Sequence, residues 1–135
     1  MPPLFDHDKL EAYQQSLAFI RWATPLLDKL PAKLSVCDQL DHASTSVPLN
    51  LAEGNGKFTS PDRCRYLDSA RGSALECAAC LDVLVAKGRA TAEEVAPGKL
   101  LLRRVVALVV GLVRSNSPDR FREDEMPYRV GGKQD

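Results

Sequence analysis

The sequence predicts an all-α protein, an antiparallel up-down four-helix bundle over residues 1–115 with an irregular C-terminal tail at 116–135. Apolar residues recur every three or four positions in four segments, and proline or glycine separates these segments. Aromatic residues make up only 6% of the chain, whereas Leu, Ala and Val are frequent. A chain of 135 residues is long enough to bury one core without disulfides or metal.

The first two predicted helices run from about Lys9 to Leu30 and from about Ser35 to Glu53. Asp8 is a candidate N-cap of the first, with Glu11 in the position that completes a capping box. Proline at position 48 predicts a kink in the second helix, because it cannot donate a backbone hydrogen bond. The apolar stripe expected on the first helix consists of Leu10, Tyr13, Leu17, Ile20, Thr24 and Leu27.

The third predicted helix runs from Ser60, its expected N-cap, to about Lys87, and Pro61 suits its first turn. A fourth helical segment opens with Thr91, which starts another capping-box pattern. The Pro97-Gly98 pair predicts a break there, so that the main fourth helix runs from Lys99 to about Ser115.

The fourth helix is apolar around nearly its whole circumference, although a bundle helix needs an apolar stripe only on its core side. Burying both sides calls for a second protein surface, and another copy of the chain is the simplest source. The alternatives are a central helix buried in one chain, or a helix covered by the tail. The residues expected at the interface between copies are Leu102, Val106, Val109, Val110 and Val113.

The charge balance is neutral, with 18 basic and 18 acidic residues, and indicates no global attraction to nucleic acid or membranes. The N-terminal residues lack the pattern of a secretory signal. The most apolar stretch, Leu100 to Val113, is interrupted by Arg103 and Arg104 and is too short to span a bilayer. We therefore expect a cytoplasmic protein with reduced cysteines and no membrane association.

Two short elements stand out in the second and third predicted helices, Asn50-Leu51-Ala52-Glu53-Gly54 and Gly72-Ser73 followed by Glu76. Together with Asp38-Gln39-Leu40 and Arg65-Tyr66-Leu67, they make residues 5–114 resemble the four-helix-bundle proteins encoded in intervening sequences of bacterial 23S ribosomal RNA genes.

This resemblance implies an antiparallel bundle. Because some members form ring-shaped homopentamers, it also favours a pentamer, with the chain itself as its partner. The family is similar in fold to the accessory protein of diversity-generating retroelements, which binds nucleic acid and a reverse transcriptase. Binding to RNA or DNA, as accessory to a retroelement or a ribosomal RNA process, is therefore the alternative function.

The polar motif residues allow two interpretations. Asn50, Glu53 and Glu76 could contact a ligand or RNA, or they could pair with Arg65, Arg71 or loop amides and fix the turn after the second helix. We favour the structural interpretation, because a tight helix–loop–helix connection needs charge-assisted bonds. The small residues of the motif end the second helix or let another helix approach closely: Gly54, Gly72 and Ser73.

Six arginines could form a phosphate-binding surface if assembly aligned them, namely Arg63, Arg65, Arg71, Arg103, Arg104 and Arg114. The alternative is a solvated rim in which they pair with Asp62, Asp68 and Asp82. Asp41-His42 occupies a place where the family commonly has basic residues, and an acidic residue there argues against phosphate binding by the second helix.

No catalytic, cofactor-binding or metal-binding residues are predicted, and we expect a protein that is not an enzyme. Cys77 and Cys80 lack a second ligand pair, so small core residues are the favoured explanation. No glutamate has a histidine three positions later, as di-iron sites in bundles require. His42 could act as a base, but no nucleophile accompanies it.

Overall fold

A computed structural model of the protein describes residues 2–117, and its four long helices pack in sequence around one core. They are α1 (Glu11–Asp28), α2 (Ser35–Asn55), α3 (Ser60–Ala86) and α4 (Ala92–Asn116). Each helix packs against the next and α4 returns to α1, so the predicted four-helix bundle is confirmed. The described part of the chain contains no strand. Most of the predicted tail, 118–135, lies outside the described residues.

The helix starts follow the sequence only in part. Thr91 caps α4 as predicted: its amide donates to Glu94 Oε1 at 2.7 Å, and the Glu94 amide donates to Thr91 Oγ1 at 3.1 Å. Thr59 caps α3 by accepting from the Asp62 amide at 3.4 Å. The prediction that Ser60 is the cap is therefore wrong by one residue, because the preceding threonine is also a capping residue and has the required extended backbone.

The predicted Asp8 cap of α1 is wrong. A short 3₁₀ helix (Asp6–Lys9) precedes α1, and Leu10 is the N-cap residue of α1 without a side-chain cap. The Asp8 carboxylate instead accepts from the amides of Leu4 and Phe5, at 3.3 and 3.1 Å. It therefore stabilises the 3₁₀ turn and not the helix that follows.

The predicted break at Pro97-Gly98 is also wrong, because α4 continues through both residues. Pro97 lies in the second turn, where its nitrogen cannot donate a backbone hydrogen bond and its ring crowds the carbonyl of the preceding turn. Gly98 is buried beneath Trp22 of α1, and a Cβ at this position would lie 2.3–2.7 Å from three atoms of the indole ring. The glycine is a point of close contact between α1 and α4. Packing by Trp22 stabilises a helical segment that Pro97 and Gly98 would disfavour on their own.

The core-facing side of α1 differs from the predicted stripe by about one residue around the helix. The buried side chains are Ala12, Ser16, Phe19 and Ala23, whereas the predicted residues are half-buried or, at Thr24, exposed. Small residues bring α1 close to its neighbours, and Phe19 fills the space between them. The buried Ser16 hydroxyl is satisfied, since it donates to its own helix.

The centre of the bundle is formed by aliphatic side chains of the other three helices. The largest of those fully buried are Leu40 and Leu51 from α2, Leu81 and Leu84 from α3, and Val105, Val109 and Val113 from α4. Their continuous packing makes one core, which holds the outer faces of α2, α3 and α4 in fixed relative positions.

Candidate interaction surfaces

Three of the five residues predicted at an interface between copies lie inside the single chain. Leu102, Val109 and Val113 are 2%, 0% and 0% exposed, because this side of α4 packs against α1 and α3. They cannot contact a second copy while the bundle is folded, so that part of the prediction is wrong. Val106 and Val110 are half-buried and retain accessible surface.

A groove with an apolar lining runs between α3 and α4, with a volume of about 720 Å³. Its α3 side is formed mainly by Ala74, Leu75, Ala78 and Val85, and its α4 side mainly by Val95, Leu100 and Val106. Leu75 is 46% exposed and Leu100 57% exposed. We call this the apolar groove. The sequence interpretation missed the α3 side of the groove, which includes the large apolar residues Leu75 and Val85.

Charged residues lie along the edge of the apolar groove. Lys99 of α4 donates to Asp82 of α3 at 2.6 Å and so links the two helices across it. Arg103 is exposed and borders both the groove and a shallower depression formed by Leu100, Ala107 and their neighbours. The apolar surface therefore has a cationic edge on the α4 side.

The six predicted phosphate-contacting arginines do not form one surface. Arg63 donates to the Lys57 carbonyl at 2.7 Å, and Arg65 pairs with Asp62 at 3.4 Å, as the solvated-rim interpretation predicted. Arg104 forms an ion pair with Glu11 of α1. The remaining three are widely spaced: Arg71 is half-buried in the middle of α3, Arg103 lies near the middle of α4, and Arg114 lies in its last turn.

The polar motif residues join α2 to α3. Asn50 Nδ2 donates to the carbonyl and the hydroxyl of Ser46, at 2.9 and 2.8 Å. Ser73 of α3 donates to the Ser46 hydroxyl at 2.9 Å. These bonds satisfy partly buried polar groups between the two helices. The structural interpretation expected Asn50 to pair with Arg65, Arg71 or a loop amide, whereas Asn50 bonds within its own helix and Ser73 supplies the bond between the two helices.

The two motif glycines differ sharply. A Cβ at Gly54 would lie 2.9 Å from Tyr66 Cβ and 3.3 Å from the Arg63 carbonyl oxygen, so this glycine allows α2 and α3 to approach closely. Gly72 is exposed, a Cβ added to it would meet no atom within 4 Å, and its predicted role in close approach is wrong. Glu53 pairs with Lys57 of the following loop at 3.6 Å and not with Arg65.

Glu76 lies at a polar cleft of about 430 Å³ between α2 and α3. The other residues that line it are Asp38, Gln39, His42, Ala43, Ser46 and Ser73. We call this the acidic cleft. Neither Asp38 nor Glu76 forms an ion pair with another described residue, and the same holds for Asp41 nearby on α2. A sequence signal for this surface exists, since α2 contains no lysine or arginine.

The motif therefore lies where two helices meet most closely, and the sequence comparison matches the same region. The model of the 23S rRNA-intervening sequence protein family matches residues 8–111, which include all four helices except the end of α4. The chain belongs to this family. No curated protein is similar enough to this family member to count as a match.

A solved structure supports the fold of this family member. The chain is similar to a protein of unknown function from the S23 ribosomal protein family of Bacteroides thetaiotaomicron, with a TM-score of 0.70 and 19% sequence identity. The match covers 76% of this chain and 98% of the other. At this identity the comparison supports the four-helix architecture alone.

The cysteines of the family member are buried and free. Burial, with smaller contributions from the nearby Cys80 and Glu76, raises the pKa of Cys77 to about 12. A thiol with such a pKa is a poor nucleophile near neutral pH, and the interpretation of Cys77 as a core residue is confirmed. Within residues 2–117, no group of three His, Cys, Asp or Glu side chains could hold a metal ion.

None of the helices in the described region combines the length and the apolar content needed to cross a bilayer.

Proposed function

We propose that this family member is a non-catalytic, homo-oligomeric scaffold or interaction protein, with a pentamer as the favoured assembly. The observation that carries the proposal is the apolar groove, which leaves Leu75 and Leu100 about half exposed in a single chain. Contiguous apolar surface on a soluble protein usually marks a place where another protein binds. The pentamer is favoured by the family resemblance and not by the groove.

The groove is also suited to a protein surface more than to a small ligand. Its polar groups lie at the edge, where Asp82 and Lys99 already pair with each other. Apolar surface in the middle with charged residues around it is the usual arrangement of a protein–protein interface. Val106 and Val110 extend the half-buried apolar surface along α4.

Light scattering on the purified protein tests the proposal. We expect a mass that is a multiple of 14.8 kDa, and a mass of 14.8 kDa would contradict self-association.

Leu100→Asp should reduce the assembly to single chains, because it places a charge in the apolar groove without touching the buried core. Phe58→Asp is the matched control: Phe58 is 100% exposed but lies outside the groove, so assembly should be retained.

Nucleic-acid binding is the second candidate function. One observation favours it: residues 99–116 of α4 carry Lys99, Arg103, Arg104 and Arg114 and no acidic residue. In an assembly this charge is repeated in every copy. A salt titration with a structured RNA hairpin tests it, and Arg103→Gln should reduce the slope of log affinity against log salt by about one. Absence of RNA binding, or a salt slope near zero, would contradict nucleic-acid binding and leave the scaffold as the remaining proposal.

We also place this family member in the cytoplasm. The support is that Cys37, Cys64, Cys77 and Cys80 are all buried and free, which suits a reducing compartment. Fractionation of the cells that make the protein tests this, and recovery in an oxidising compartment would contradict it.

A further inference from the structure

The two helices at opposite corners of the bundle carry opposite charge. α2 contains Asp38, Asp41 and Glu53 and no lysine or arginine, whereas residues 99–116 of α4 contain four lysines or arginines and no acidic residue. Because α2 and α4 each pack against α1 and α3, they lie diagonally opposite one another. The net charge of zero therefore conceals a molecule with one acidic and one basic side.

Ion pairs within the chain leave part of each side without an opposite charge. Lys99 and Arg104 are neutralised by Asp82 and Glu11. Arg103 forms no ion pair with any residue in the described part of the chain, and Asp38 and Glu76 form none either. The unpaired cation lies at the edge of the apolar groove, and the unpaired carboxylates lie at the acidic cleft.

The chemical groups on the two sides are also complementary. Arg103 projects from α4 between the exposed side chains of Leu100 and Ala107, so it is a charged group surrounded by apolar surface. The acidic cleft offers carboxylates from two helices, Asp38 on α2 and Glu76 on α3. A guanidinium group has five donors in a plane and can bond to acceptors on both sides at once.

We propose that the α4 face of one copy, with its apolar groove, packs against the α2–α3 face of the next copy, and that Arg103 enters the acidic cleft between Asp38 and Glu76. This inference rests on the proposed self-association and states which surfaces meet. Exposed apolar residues on the receiving face, Leu49 at 63% and Val83 at 38% exposure, supply the apolar contacts around the ion pairs.

The contact joins two different surfaces, and this determines the kind of assembly. Each copy uses its α4 face toward one neighbour and its α2–α3 face toward the other. Such head-to-tail contacts give a ring when the rotation between copies closes, whereas a contact between identical faces stops at a two-fold dimer. The charge arrangement thus favours a closed ring over a symmetric dimer.

Charge reversal on each face separately tests the proposal. Arg103→Glu removes the inserted cation, and Asp38→Arg combined with Glu76→Arg removes the receiving carboxylates. Each of these two variants, on its own, should assemble less readily. The protein concentration at half-assembly should rise about tenfold or more. Arg21→Glu is the control, because Arg21 is an exposed arginine of α1 outside both faces, and it should assemble like the unaltered chain.

Mixing the two blocked chains gives the sharpest result. In an equimolar mixture both contacts pair opposite charges, because the reversed charge at position 103 of one chain faces the reversed charges at positions 38 and 76 of the other, so the mixture should assemble although neither chain does so alone. Combining all three changes in one chain should restore the unaltered mass, because the charges are exchanged and not removed. Circular dichroism checks that every variant has kept its helices.

The outcomes separate this inference from the proposed function. If the unaltered protein is a single chain, self-association itself fails. If it assembles and Arg103→Glu assembles equally well, the scaffold remains and the α4-to-α2–α3 contact is overturned. A mixture that stays as single chains likewise overturns the head-to-tail arrangement, provided that both chains are folded.

Discussion

Helix α3 packs against two neighbours, α2 and α4, and the two contacts differ. The contact with α2 is close, whereas the contact with α4 leaves a groove. Toward α2, the backbone of Gly54 touches Tyr66, and Ser73 donates to Ser46 across the contact. Toward α4, the helices separate at their outer edge and leave the apolar groove of about 720 Å³. The first contact is closed by residues of the two helices, and the second presents apolar surface that the described residues 2–117 leave exposed.

The difference follows from the residues on the two sides of α3. Small and hydroxyl-bearing residues on the α2 side allow close approach and satisfy one another, so the polar groups between these two helices need no partner for their hydrogen bonds. On the α4 side, Leu75 and Leu100 remain 46% and 57% exposed, and small residues such as Ala74 and Ala78 line the groove beside them. An incomplete apolar contact in an otherwise well-packed bundle is therefore better explained by binding than by poor packing.

Gly54→Ala should break the closed contact and have the largest effect. The added methyl group meets Tyr66 Cβ at 2.9 Å and a backbone carbonyl at 3.3 Å, neither of which can move without shifting α3. We expect a loss of about 1–3 kcal/mol in the free energy of unfolding, measured by denaturant titration. Gly72→Ala is the control, since nothing lies within 4 Å, and it should stabilise α3 by about 0.5–1 kcal/mol. Equal changes in the free energy of unfolding at the two positions would show that the close approach of α2 and α3 at Gly54 does not limit stability.

Replacing two alanines of α3 with leucine, one at a time, compares the buried part and the exposed part of the α3–α4 contact. Ala74 is 0% exposed, and Ala74→Leu should cost about 1–3 kcal/mol through overpacking. Ala78, one turn later, is half-buried in the apolar groove, and Ala78→Leu should change the free energy of unfolding of the single chain by less than about 0.5 kcal/mol. A large cost at Ala78 would mean that the groove is closed in solution.

Ser73→Ala should weaken the closed contact by about 1 kcal/mol, because it removes the hydrogen bond to Ser46 across the two helices. Ser69→Ala is the matched control on the same helix: its exposed hydroxyl donates to the Arg65 carbonyl of α3 itself. Its effect should be near zero. A double-mutant cycle with Ser46→Ala measures the coupling, and a coupling of zero would contradict a role for this bond in joining the helices.

The pH dependence of stability concerns the core between the two contacts. The pKa of Cys77 is about 12 in the folded chain, against an ordinary value of 9.0. Its contribution to stability is therefore complete below pH 9 and is lost as the pH rises above that, because the unfolded thiol ionises first. The free energy of unfolding should fall less steeply between pH 9 and pH 10.5 in Cys77→Ala. Identical slopes would contradict the raised pKa.

The sequence predicted best those features that depend on neighbouring residues. The capping box at Thr91 and the extents of α2 and α3 are local, and the structure has them within two residues of the predicted ends. The close contact at Gly54 and the acidic cleft require knowledge of which helix lies opposite. For the cleft, the absence of lysine and arginine from α2 was the available signal.

The predictions that failed share one physical cause. Contacts with residues far away in the sequence override the local conformational preference of a segment. The break predicted at Pro97-Gly98 does not occur, because Trp22 of another helix packs on the glycine. The predicted face of α1 is wrong because three of its four buried residues are small and most of its half-buried ones are large. Leu102 and Val109 were assigned to a partner because periodicity shows that a side is apolar but not which neighbour covers it.

Trp22 is the only tryptophan of the chain, and its ring lies on Gly98 and 5.7 Å from the ring of Phe19. The intrinsic fluorescence of the protein consequently reports on a single place, the junction of α1 with the start of α4. A red shift of its emission records water reaching that junction, whatever happens elsewhere in the bundle. Compared with circular dichroism, which averages over all four helices, this signal distinguishes detachment of α1 from melting of the whole chain.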